Sequence, residues 1–109
     1  MHRKKLFEDV YNTICRDRQD QYGELEDNFK YIANFWNNYL SAKNHMTLQL
    51  SAEDVAIMMS LLKVARMATG VKHYGNYIDA AGYLALAGEQ AFKEYDYDSH
   101  AAAGTSDAE

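Results

Sequence analysis

Residues 78–88 are apolar almost all the way round a helical circumference, and Asp79 is the one charge among them. A helix with no polar face has to lie among other helices or sheets, so this stretch reads as a central, largely buried helix. The rest of the chain must then supply its partners. Proline is absent, and apolar residues elsewhere recur at helical rather than strand spacing. The expectation is an all-α chain.

Three further helices follow from that period. The first covers about residues 4–18, with Leu6, Phe7, Val10 and Ile14 on one face. Gln21-Tyr22-Gly23 then breaks the pattern. The second covers about 25–43, where Phe29, Ile32, Ala33, Trp36 and Leu40 form a stripe that needs an apolar partner. After a polar loop at 44–50, Ser51-Ala52-Glu53-Asp54 opens the third helix. Ser51 is the N-cap and Asp54, three residues on, completes a capping box. That helix runs through Ile57, Met58, Leu61, Leu62 and Ala65 and stops near Gly70. The fourth covers about 76–95. Residues 96–109 are small, polar and acidic, and read as a disordered tail. The prediction is one compact four-helix domain over 1–95 followed by a tail over 96–109.

A chain of 109 residues with 48% hydrophobic residues has room for one modest core. A homo-oligomer is expected to bury the surplus apolar surface, with Gly82, Ala85 and Gly88 permitting close helix contact. No apolar run is long enough to span a bilayer, so no membrane association is expected. Basic residues near the start are interrupted by Glu8 and Asp9, so a secretory signal is not expected either. The single cysteine, Cys15, rules out an internal disulfide framework and suits a reducing, cytoplasmic setting. A net charge of -5 argues against general nucleic-acid binding, though not against a local basic pocket for a small anion.

Candidate chemistry centres on a few charges inside apolar segments. Asp79 shares a helix face with Gly82, Tyr83 and Leu86. An ionised carboxylate there needs a cation, a metal or a set of donors. Either it pairs structurally with Lys63 or Arg66, or it lines a polar pocket, and the two are compatible. Lys63 and Arg66 lie three apart, so they point to one side, away from Met58, Leu61 and Ala65. They are the only charges between Val55 and Val71. Such a pair is either a solvated face or a phosphate grip, with Arg as bidentate donor and Lys as point charge. Asp54 projects into the apolar arc of Met58, Leu61 and Ala65, and reads as a cap or as a metal or pocket ligand. Glu24, Glu26 and Asp27 complement the helix dipole or hold a divalent cation. Tyr22, Asn28 and Trp36 are candidates for base or ribose contact, and Asn76 and Tyr83 flank Asp79 as further ligand-binding candidates. The four histidines show no paired metal spacing, and no glycine-rich phosphate loop is present.

In order along the chain come Arg18-Gln19-Asp20-Gln21-Tyr22-Gly23, Asp27-Asn28-Phe29, Ile32-Ala33, Trp36, Asp54-Val55-Ala56, Met58-Met59, Leu62-Lys63-Val64-Ala65-Arg66 and Asp79-Ala80-Ala81-Gly82-Tyr83. Over about residues 5–90 this resembles a family of small phage and prophage proteins described only as domains of unknown function. That family is similar, distantly, to the MazG-like, all-α nucleoside triphosphate pyrophosphohydrolases. The resemblance implies a dimer or tetramer, and acidic residues on two helices that bind magnesium to activate water. The enzymes' Glu-x-x-Glu and Glu-x-x-Asp pairs are not cleanly present. Glu24, Glu26 and Asp27 stand in the first place, and Asp54 or Asp79 in the second. Three readings result. The first is a nucleotide-binding protein that hydrolyses a triphosphate with Mg2+, with Asp54 and Asp79 catalytic and Glu24, Asp27, Asp54 and Asp79 as metal ligands. The second is a viral protein that sequesters a host signalling nucleotide to block defence. The third is a helical protein-interaction module.

Overall fold

The computed structural model describes residues 1–17 and 19–93, and the side chains of residues 16–27 lie outside that description. Among the described residues there are four α-helices and no strand. They are α1 (Arg3–Tyr11), α2 (Gln19–Asn44), α3 (Ala52–Thr69) and α4 (Tyr74–Ala91), with a π-helical turn, Asn12–Asp17, between α1 and α2.

The first helix is therefore shorter than its apolar period predicts and passes into a wider turn. The second is longer. The backbone stays helical through Gln21-Tyr22-Gly23, where a break is expected from sequence. A glycine inside a helix costs only about 1 kcal/mol relative to Ala, and the long stretch of α2 that follows Gly23 outweighs that. The predicted tail falls outside the described residues.

The start of α3 forms as its sequence demands. The Ser51 hydroxyl accepts from the Asp54 N–H at 3.2 Å, and the Asp54 carboxylate accepts from the Ser51 N–H at 2.9 Å. The preceding loop is fastened to α2. Asn37 donates its amide to the Leu50 carbonyl (3.0 Å) and accepts from the Leu50 N–H (2.7 Å), and Ser41 Oγ accepts from the Leu48 N–H (2.9 Å). His45, at φ 53°, turns the chain out of α2.

Helices α3 and α4 form the closest-packed pair, an antiparallel hairpin closed by residues 70–73. The core lies at its open end. Ala52, Val55 and Ala56 of α3 meet Ala87 of α4 and Phe29 and Ala33 of α2, with Trp36, Met59, Tyr83 and Leu86 packed around them. The Phe29 and Tyr83 rings lie 6.1 Å apart at 44°. Burying a side chain such as Phe29 or Val55 stabilises by about 1.5–3 kcal/mol each. The π-helical turn seats Ile14 against Gly82, where an added Cβ would come within 2.9 Å of Ile14 Cδ1. That approach explains why a glycine sits in the middle of α4. Gly82 thus serves a contact within the chain.

Two expectations about faces are overturned. Helix α4 buries Asn76, Ile78, Ala80, Gly82 and Ala87, but Tyr77, Leu84, Ala85 and Gly88 are exposed, so it is not enclosed all round. In α3 the Met58, Leu61 and Ala65 face, read from sequence as the apolar arc, is the outward one. Leu61 is 59% exposed, whereas Ala52, Val55, Ala56 and Ser60 are the buried residues. Small side chains win the inner position because they let α3 and α4 approach closely.

Candidate anion site at the closed end of the hairpin

Toward the closed end, the inward stripe of α3 changes from Ala and Val to polar residues. Each of them finds a partner on α4. Ser60, 2% exposed, donates its hydroxyl to the Ala80 carbonyl at 2.9 Å. One turn on, Lys63 Nζ lies 3.2 Å from Asp79 Oδ2, with the lysine side chain 18% and the aspartate 34% exposed. One further turn on, Arg66 donates its Nε–H to Asn76 Oδ1 at 3.2 Å. Asn76 is buried.

Beyond this ladder is a cleft of about 210 Å³ lined by Arg66, Thr69, Gly70, Val71, His73 and Asn76. His73 is the N-cap of α4. Its Nδ1 accepts from the Gly75 N–H at 3.2 Å, which leaves the other ring nitrogen, Nε2, as the N–H donor. The start of an 18-residue helix carries a partial positive charge beside a guanidinium, although its Gly75 and Asn76 N–H groups are already taken by the Nδ1 and carbonyl of His73. Arg66 commits Nε to Asn76, and its terminal nitrogens remain available for a bidentate bond to phosphate. Chemically the cleft suits an oxyanion rather than a cation.

The structure thus brings Lys63, Arg66, Asn76 and Asp79 together. Asp54 lies nine residues before Lys63 on α3, about 14 Å along the axis at 1.5 Å per residue. Its Oδ2 is occupied by the Ser51 backbone and hydroxyl. Tyr83 and Trp36 are half-buried and pack on the core, and Asn28 is exposed on α2. Tyr22, Glu24 and Asp27, with Glu26, fall on side chains outside the described residues. Among the described residues no three His, Cys, Asp or Glu side chains gather as a metal cage.

Sequence reasoning missed Ser60, Thr69 and His73. His73 carries no strong signal, because histidine is not among the residues that favour an N-cap, and its role follows from the helix starting at Tyr74. A second unforeseen contact holds α1. The Tyr74 hydroxyl donates to Asp9 Oδ2 at 2.5 Å, and Lys5 donates to Asp9 Oδ1 at 2.8 Å. The Lys5 and Tyr74 hydrogen bonds hold the Asp9 carboxyl below its ordinary 3.8, and the same carboxylate pushes the Tyr74 hydroxyl up to about 12.

A family model described as a domain of unknown function, DUF6378, matches residues 5–91. The chain belongs to that family. It is similar to the Gene 55 protein of Mycobacterium phage L5, at 34% identity over 73 residues, covering 67% of this chain and 44% of the relative. It is also similar to the Gene 55 protein of Mycobacterium phage D29, at 32% identity over 91 residues, covering 84% of this chain and 56% of the relative. The chain therefore spans about half the length of these relatives. No solved structure matches it. Among the described residues no helix is long and apolar enough to cross a membrane.

Proposed function

We propose that this phage-related domain binds a nucleotide or nucleotide-derived molecule through its phosphate, which seats in the cleft at the closed end of the hairpin. The observation that carries the reading is the placement of Arg66 and His73 around the first turn of α4. Two side-chain N–H donors line one small space there, beside the positive end of the helix dipole, while the Gly75 and Asn76 amides are already bonded to His73. Lys63 contributes positive charge one turn away, and Asp79 fixes its ammonium. The MazG-like relationship belongs to this proposal. It is supported by the order of four helices and by the late aspartate opposite the basic pair.

Retention of the ligand fits the described residues better than turnover. Asp79 and Asp54 each have an oxygen already bonded, to Lys63 and to Ser51, and they lie apart on the hairpin. A magnesium ion in this reading arrives on the phosphates, as is usual for nucleotides, rather than in a cage of protein carboxylates. Sequestration of a host signalling nucleotide would be the biological consequence for a phage protein, and we place the protein in the host cytoplasm. We further propose that a second copy covers the outer faces of α3 and α4. Leu61, Leu62, Val64 and Leu84 are about half exposed on these helices.

The test incubates the purified protein with nucleoside triphosphates and cyclic nucleotides, with and without magnesium. Bound and free species are then identified by mass spectrometry. Intact nucleotide retained by the parent and lost in Arg66→Ala and Lys63→Ala is the expected result. Release of a monophosphate that disappears in Asp79→Ala would replace retention by hydrolysis. No retention across the panel would overturn nucleotide binding and leave a protein-interaction module.

A further inference from the structure

At the opposite end of α3 from the phosphate cleft, a groove of about 600 Å³ runs between α2 and the loop that precedes α3. Its lining is Asn34, Asn37, Asn38, Ser41, Thr47, Leu48 and Gln49. Four of these carry amides, two carry hydroxyls, and none is charged. Asn37 and Ser41 have a structural task, since they hold the loop. No such task falls to Asn34, Asn38, Thr47 and Gln49, whose exposed side chains make no hydrogen bond among the described residues. Asparagine is a poor residue for a helix interior, at a cost of about 0.5 kcal/mol each relative to the best helix formers. Stability of α2 does not account for asparagine at 34 and 38.

Beside the amides runs a ridge of rings. At about 100° per residue, Tyr31 projects next to Asn34 and Asn38 and Phe35 next to Asn38 on the helix circumference, at the rim of the groove and outside its lining. They are 64% and 72% exposed. Tyr39 continues the ridge and already carries the Lys43 ammonium 5.8 Å above its ring. A neutral polar trough thus adjoins open aromatic faces.

We propose that this groove is a binding site for an uncharged saccharide. Every sugar hydroxyl is both donor and acceptor, and amides and hydroxyls are the side chains that answer both functions. The apolar C–H face of a sugar ring lies against an aromatic ring, which Tyr31 and Phe35 offer. The absence of charge in the lining gives an anion no purchase. The groove volume falls within the range of small-molecule sites, about 300–1,000 Å³. It also exceeds what a single nucleobase fills. The proposal does not depend on the phosphate reading, because the two sites lie at opposite ends of an 18-residue helix.

The test uses the full chain labelled with 15N, in which the Asn and Gln side-chain NH2 groups report directly. Maltotriose, cellotriose and chitotriose are titrated, with uridine and adenosine alongside. One of the sugars is expected to move the NH2 signals of Asn34, Asn38 and Gln49, with an affinity unchanged by added NaCl. Asn34→Ala with Asn38→Ala should weaken that binding at least about tenfold, or about 1.4 kcal/mol. The variant should keep the parent's circular dichroism, because neither amide holds the fold together. No shift with any sugar overturns the proposal. So do shifts with the nucleosides alone, and so does signal loss in the groove that grows with protein concentration and marks a second copy there.

Discussion

Two glycines on α4 offer a matched comparison of packing. Gly82 and Gly88 both lie inside the helix, so replacing either by Ala gains about 0.5–1 kcal/mol in backbone terms. At Gly88 a Cβ meets nothing within 4 Å, so Gly88→Ala keeps the whole gain. For a domain of this size that raises Tm by about 2–8 °C. At Gly82 the new Cβ would lie 2.9 Å from Ile14 Cδ1 and 3.3 Å from Cγ1. Overpacking costs about 1–3 kcal/mol, and the low end applies because the δ-methyl of Ile14 is free to turn. The opposing effects nearly cancel, so Gly82→Ala should fall within about 0.5 kcal/mol of the parent. Ile14→Val removes the clashing methyl. It should cost about 0.5–1.5 kcal/mol in the parent and at least about 0.5 kcal/mol less beside Gly82→Ala. Urea unfolding followed by circular dichroism and Trp36 fluorescence measures all four proteins. If Gly82→Ala stabilises as much as Gly88→Ala, and Ile14→Val is additive with it, the π-helical turn does not sit on α4. Protein concentration adds a second axis. A gain at Gly88 that shrinks as concentration rises would show a second copy pressing on that face.

Ser60→Ala removes a buried hydroxyl that bonds the Ala80 carbonyl. It should cost about 0.5–1.5 kcal/mol in urea unfolding. A neutral result would mean that the hydroxyl does not join α3 to α4. The contact between α1 and α4 should depend on pH at both extremes. The Asp9 carboxyl is held below its ordinary 3.8, so its contribution is present above that value and fades as pH falls through the lowered one. The Tyr74 hydroxyl is raised to about 12, so its contribution is full below 10 and is lost as pH rises through about 12. An ultraviolet phenolate titration of the parent against Tyr74→Phe isolates this tyrosine, and Asp9→Asn should return it toward 10. An unchanged titration in Asp9→Asn would refute the clasp.

What could be read from sequence divides along physical lines. The capping box at Ser51 and Asp54 is local chemistry, and it forms as written. Fold class followed from the apolar period, and the stripe Phe29, Ile32, Ala33 and Trp36 does face the core. Apolarity alone points to the Met58, Leu61 and Ala65 face of α3, and the structure turns that face outward. Close packing of two helices selects Ala, Ser and Val instead, and size alone does not reveal that. Lys63 and Asp79 were legible as candidates for pairing, and the structure chooses Lys63 over Arg66. Arg66 goes to Asn76, a choice set by one turn of helix register. Contacts between residues far apart in the chain, such as Asp9 with Tyr74, leave no trace in either segment alone.

The two candidate sites make opposite demands on the solvent, and this separates them in one experiment. The proposed phosphate cleft relies on Arg66 and a helix terminus, whose pull salt weakens at exposed positions, with the half-buried Lys63 screened less. Polarity without charge is what the groove on α2 relies on, so screening has nothing to act on. Raising ionic strength should therefore release an anion from the hairpin end and leave a ligand on α2 in place. A chain of net charge -5 adds to the contrast. The field of the whole protein opposes an anion, so the cleft must overcome it locally, and its affinity should fall when the only local guanidinium among its lining residues, that of Arg66, is removed. Were Arg66→Ala to retain a nucleotide as tightly as the parent, His73 and the dipole of α4 would have to suffice alone. The arrangement of Arg66 over that helix would then be structural, serving to hold Asn76 and close the hairpin.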